Sequence, residues 1–190
     1  MEHTMYEVFQ NDLLKNERIL WAGQPDPKAL FTTGDIFWVP FSNLWGGFFI
    51  FFGIAEWRTG WFFIIFSLPF FLIGLYAIFG RFLYKIWKKK RTYYTVTERR
   101  VLILTALFSR SFQAVYIDTI PSIHKSVRFG RGTITFGNRS FWSSMYANTG
   151  MGFFGWGYGK EVPTFYDIKD VDKVFDRVNE LRNKEERKEF

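Results

Sequence analysis

Two uncharged apolar stretches lie almost back to back near the start of this chain, and they restrict its architecture more than any other feature. Ile36–Ala55 and Trp61–Gly80 each run for 20 residues without a charged side chain, separated only by Glu56, Trp57, Arg58, Thr59 and Gly60. An α-helix rises about 1.5 Å per residue, so about 20 residues cross a hydrocarbon core about 30 Å thick. The pattern predicts a hairpin of two membrane-spanning helices. The alternative, two buried helices of a soluble bundle, requires polar residues on at least one face. Ser42, Asn43 and Ser67 are almost the only polar groups in these positions. Trp38, Trp57, Trp61 and Trp87 fall near the expected span ends, where indole rings favour the membrane interface.

The charge of the chain is concentrated beside this hairpin. Arg81–Arg91 carries six bases (Arg81, Lys85, Lys88, Lys89, Lys90 and Arg91) and no acid. The first 35 residues carry three bases and six acids, and the chain after Arg91 carries 15 bases and 11 acids. The formal net charge of +7 is therefore mainly juxtamembrane and does not mark a nucleic-acid partner. Nine bases lie near the spans on the side of the two termini, against Arg58 alone in the connecting loop. The positive-inside rule then places both termini in the cytoplasm. The first apolar run starts too late and runs too long for a secretory signal peptide.

Within the spans, Gly46, Gly47, Gly53 and Gly74 would let two helices approach closely. Asn43 reads as a helix–helix contact rather than a transport site. No Asp, Glu, Lys, Arg or His lies between Ile36 and Ala55 or between Trp61 and Gly80. The usual mark of an ion or proton pathway is missing there.

From Thr92 onward the texture changes. Thr92–Thr97, Val101–Leu104, Phe112–Ile117, Ser122–Phe129 and Thr133–Phe136 read as short strands. Glu98-Arg99-Arg100 and Gly130-Arg131-Gly132 mark turns. Val171, Val174, Phe175, Val178 and Leu181 recur at helical spacing behind Asp170, a residue suited to an N-cap. These elements predict a mainly-β domain, an antiparallel sheet that is curved or barrel-like, with one amphipathic C-terminal α-helix packing on it.

Four segments carry a resemblance. Glu17–Pro25 (ERILWAGQP) stands before the hairpin, and Tyr94–Ile103 (YTVTERRVLI) follows the basic run. Phe129–Ile134 (FGRGTI) comes next, and Phe165–Ile168 (FYDI) leads into the last helix. Together they resemble the bacterial membrane proteins with a pleckstrin-homology-like (PH-like) domain, over most of the chain. The resemblance implies a two-helix transmembrane hairpin plus a PH-like curved antiparallel sheet capped by a C-terminal helix, in the cell (inner) membrane. The expected layout is a cytoplasmic N-terminal segment (1–35), a transmembrane hairpin with a basic juxtamembrane end (36–91), a PH-like cytoplasmic domain (92–183) and a charged tail (184–190). Lipid-binding members of the broader superfold gather bases in the loop between strands 1 and 2. Here the corresponding turn offers only Arg99 and Arg100 beside Glu98, too little for a phosphate pocket.

Two candidate sites remain. Arg81, Lys85, Lys88, Lys89, Lys90 and Arg91 either contact anionic lipid or act only as the stop-transfer anchor that sets topology. Gly150–Gly159 (GMGFFGWGYG) is either a flexible insertion or an interface loop, in which Phe153, Phe154, Trp156 and Tyr158 meet the membrane or a neighbouring subunit. No catalytic, cofactor-binding or metal-ligating set is expected. The chain has no cysteine, its two histidines (His3 and His124) are far apart, and Ser143-Ser144 lies in no nucleophile motif. The carboxylates Asp167, Asp170, Asp172 and Asp176 suit a helix N-terminus without metal. The expected function is binding or scaffolding at the membrane rather than catalysis. Membrane lipids are the expected partners, with a protein partner or homo-oligomer besides. The competing class is an oligomeric pore or an accessory subunit of a transporter.

Overall fold

The computed structural model describes residues 7–32, 34–56, 61–128, 130–150 and 162–187. The chain forms two compact units. One is built from residues up to Lys28, from Lys88–Arg139 and from the C-terminal part of the chain. The other is built from Ala29–Trp87 and the segment that begins at Ser140.

The first unit holds two antiparallel sheets. Strands β1 (Ile19–Gly23), β2 (Thr92–Thr97), β3 (Arg100–Ala106) and β4 (Arg110–Tyr116) pair in sequence order. Strands β5 (Ile123–Arg128), β6 (Arg131–Phe136) and β7 (Thr164–Ile168) form the second sheet, also in sequence order. The β2–β3 hairpin turns over Glu98-Arg99. The buried Thr97 hydroxyl holds that turn, accepting the Arg100 N–H at 3.0 Å, with its oxygen 2.9 Å from the Arg100 carbonyl.

Strand β1 comes from the first 35 residues, a segment in which the periodicity marks no strand. It pairs Gly23 with Tyr94 and Ala22 with Thr95, although the whole helical hairpin separates the two strands in sequence. The hairpin is thus an insertion in the β1–β2 connection.

Side-chain alternation gives the first sheet two buried faces. Tyr94 and Val96 pair with Ile103 and Val101 and face the main core. That core includes Ile117, Ile134, Phe136, Phe165 and Ile168. On the opposite face Leu102 and Leu104 pack against Phe9, with Val8 and Leu13 around them. The C-terminal helix (Val171–Glu186) closes the main core with Val171, Val174 and Val178, as its spacing predicts. Fully burying a side chain of this kind contributes about 1.5–3 kcal/mol. The helix runs so close to β6 that a Cβ on Gly132 would overlap Val171.

The second unit holds the apolar helices. Helix α1 spans Asp35–Glu56. Helix α2 (Trp61–Leu75) continues through a π-helical turn (Tyr76–Gly80) into α3 (Arg81–Lys90). Both 35–55 and 65–90 are long and apolar enough to cross a membrane. Helices α1 and α2 pack at glycine, as the sequence predicts for two of its four positions. A Cβ on Gly74 would sit 3.3 Å from the Gly46 Cα, and one on Gly46 would overlap Ile78. Phe49 and Phe70 stack beside them at 5.5 Å. A Cβ on Gly47 would meet nothing within 4 Å, and one on Gly53 would only touch Phe71.

A short helix, α4 (Phe141–Tyr146), lies in the same unit and has no counterpart in the sequence reading. The Ser140 hydroxyl caps it by accepting the Ser143 N–H at 3.2 Å. The Tyr146 ring packs 5.2 Å from Trp38, and the Tyr76 hydroxyl donates to the Gly150 carbonyl at 2.8 Å.

Candidate functional site

Helical spacing divides the basic run into two groups. Arg81, Lys85 and Lys89 recur every four residues and share one face. All three are internal, with 1%, 2% and 3% of their surface exposed. Lys88 is half-buried, and Lys90 and Arg91 are exposed. Only the second group reaches the surface.

Within the helical unit, Arg81 and Lys85 converge on Asp35, which is itself 2% exposed. The Lys85 Nζ lies 2.7 Å from Asp35 Oδ2 and also donates to the Leu30 carbonyl. The same Oδ2 accepts the Thr32 N–H at 2.6 Å and the Thr32 hydroxyl at 2.7 Å. Arg81 Nη1 stands 3.4 Å from Asp35 Oδ1, an ion pair without a hydrogen bond. Asp35 opens α1, where the helix dipole favours its negative charge. One carboxylate thus pairs with two cations. Phe31, Ile36, Phe79 and Leu83, adjacent in sequence to these ionic groups, are exposed apolar side chains.

Lys89 belongs to the β unit. Its Nζ lies 2.6 Å from Asp167 Oδ2 and 3.5 Å from the Asp26 carbonyl. Asp167 adopts a positive φ of 51° in β7, a conformation that Asp tolerates better than most residues. Asp26 in turn accepts the Arg131 Nε at 2.8 Å and the Lys28 N–H at 2.8 Å. Burial works to raise the Asp26 carboxyl, but these two donors outweigh it and hold it below its ordinary value.

Nearer the N-terminus, the buried Glu17 side chain forms a bidentate pair with Arg100 at 2.9 and 2.6 Å, and accepts the Thr97 hydroxyl at 2.7 Å. Burial again opposes the charge. Arg100, the Leu14 N–H and Thr97 overcome it, and the Glu17 pKa falls to about 2. Asp12 pairs with Arg110.

Four acids of the first 35 residues (Asp12, Glu17, Asp26 and Asp35) therefore meet bases from Arg81 onward. None of them is picked out by motif. The signal in the sequence was the acid excess of this segment against the basic run, a long-range charge complement that spacing alone cannot resolve.

The other sequence candidates are placed as follows. Phe153, Phe154, Trp156 and Tyr158 lie outside the described residues. The start of their segment is docked on the helical unit, because a Cβ on Gly150 would lie 2.7 Å from the Arg81 carbonyl oxygen. His124 is exposed, its Nε2 3.3 Å from Asn138 Oδ1. Ser143 is a residue of α4. Asp172 pairs with Lys125 at 2.9 Å. Among the described residues no three His, Asp or Glu side chains converge as a metal site.

No protein-family model, curated protein or solved structure matches the chain.

Proposed function

We propose that this chain is a two-span membrane protein of the cell (inner) membrane that presents a PH-like domain at the cytoplasmic face, as a binding or scaffold module. One observation carries the anchoring. The helix pair exposes large apolar side chains along its length: Leu44 73%, Phe51 68%, Ile54 71% and Phe66 67%. Each such side chain forgoes about 1.5–3 kcal/mol if left in water. Acyl chains are the solvent that removes this penalty. Lys88, Lys90 and Arg91 then stand where acidic headgroups would meet them, at about 1 kcal/mol per base.

The PH-like assignment is supported by four strands followed by three, each sheet in sequence order, with a C-terminal helix on the core. The pore reading is less well supported. A pore needs a polar stripe, whereas the outward positions of α1 and α2 are mostly Phe, Leu, Ile and Trp.

The cysteine-free chain suits a direct test. Alkaline carbonate should leave the chain in the membrane pellet, and its release would overturn the anchoring. A single cysteine at Thr59 should react with an impermeant maleimide from outside intact cells, and one at Lys184 only after permeabilisation. The reverse pattern would overturn the orientation. Crosslinking of the full chain in membranes, followed by identification of what is captured, tests the scaffold role.

A further inference from the structure

Helix α1 carries a second packing seam that α2 does not fill. The first seam (Trp38, Ser42, Gly46 and Phe49) is buried or half-buried. The second consists of Ile36, Pro40, Asn43, Gly47, Ile50 and Ile54, spaced four, three, four, three and four residues apart. This is the a/d spacing of a two-stranded coiled coil. Its residues are small, β-branched or proline, apart from Asn43, whereas Phe41, Leu44 and Phe48 crowd the other outward faces. Ile36 and Ile54 are 72% and 71% exposed, and the space beside Gly47 is open.

Asn43 gives the seam an occupant. It lies eight residues into α1, about 12 Å along the axis from Asp35. Its side chain is exposed and has no hydrogen-bond partner among the described residues. In hydrocarbon an unpaired carboxamide is costly, and lipid tails offer neither donor nor acceptor. A carboxamide carries both, so it can pair with another copy of itself. Two copies inserted the same way round run their α1 helices parallel, with Asn43 at one depth. A single polar residue in a parallel seam is a known means of setting register.

We propose that two copies of this chain pack through this seam, with their Asn43 carboxamides hydrogen-bonded to each other. The inference rests on the membrane reading above, and its test separates the two. Single cysteines at Gly47 or Ile54, in the full chain in native membranes, should form disulfide-linked dimers on mild oxidation. A cysteine at Phe48 should not. Asn43→Leu, which keeps the span apolar, should weaken association by about 3–30-fold in a dilution series of donor- and acceptor-labelled chain in liposomes. Equal crosslinking at Phe48 and Ile54, or no change with Asn43→Leu, would overturn the seam while leaving the anchoring intact. Release of the chain by carbonate would overturn both.

Discussion

Removing the Asp35 carboxylate takes away the counter-charge that pairs with Arg81 and Lys85, two cations with almost no access to water. Breaking a buried pair in this way costs about 3–5 kcal/mol, far more than the pair contributes over an apolar replacement. Asp35→Ala should therefore destabilise the full chain in detergent micelles by that order, measured by thermal or denaturant unfolding. Lys90→Ala, at an exposed position, should stay within about 0.5 kcal/mol. Glu17 makes a pH-dependent contribution of its own. Its folded pKa of about 2 lies below the ordinary 4.5, so its stabilisation is complete above pH 4.5 and is lost as pH falls towards 2. The size is about 3 kcal/mol. The Arg100 guanidinium, pushed up by the same pair, stays charged throughout and adds no pH dependence in this window. Acid unfolding of the β unit should steepen between pH 4.5 and 2, and Glu17→Gln should flatten that limb. An unchanged acid limb in Glu17→Gln would contradict the assignment.

At the scale of elements, the close approach of the C-terminal helix to β6 depends on Gly132. The helix buries its valine stripe only because no side chain stands between Val171 and the strand. Gly132→Ala should cost about 1–3 kcal/mol by overpacking. Val171→Ala in the same chain should restore part of the loss, a coupling that two independent sites would lack. Strand β1 and the Phe9 cluster make a second element-scale prediction. A fragment of residues 92–190 lacks the strand that pairs with β2 and the side chains that cover Leu102 and Leu104. It should expose an unpaired strand edge and aggregate. Joining residues 7–28 to 88–190 through a flexible linker should give a monomeric, cooperatively unfolding protein. Size-exclusion chromatography and circular dichroism of the two fragments would decide the point.

For the whole molecule, the division between what was legible and what was hidden follows the range of the interactions. The apolar runs, strands β2–β6 and the valine stripe of the last helix could be read because each is a local pattern with its own period. Strand β1 could not. Ile19–Gly23 is short, does not alternate, and becomes a strand only because β2 lies beside it. The basic run illustrates the limit most clearly. Its charges were visible, but Arg81, Lys85 and Lys89 are buried in ion pairs with distant acids. Which bases are buried in this way depended on helical phase and on acids about 50 and 78 residues away in sequence.

The sequence by itself determined that two helices long enough for a bilayer precede a β-rich domain, because hydrophobic length and periodicity are properties of neighbouring residues. Only the tertiary structure decided that residues 7–28 help to build that domain. It also decided that Asp35 and Asp167 pair with Arg81, Lys85 and Lys89 of the basic run, and that Asn43 is exposed on α1. Strand pairing and ion pairing across a long insertion depend on where distant residues meet, and no local pattern encodes that.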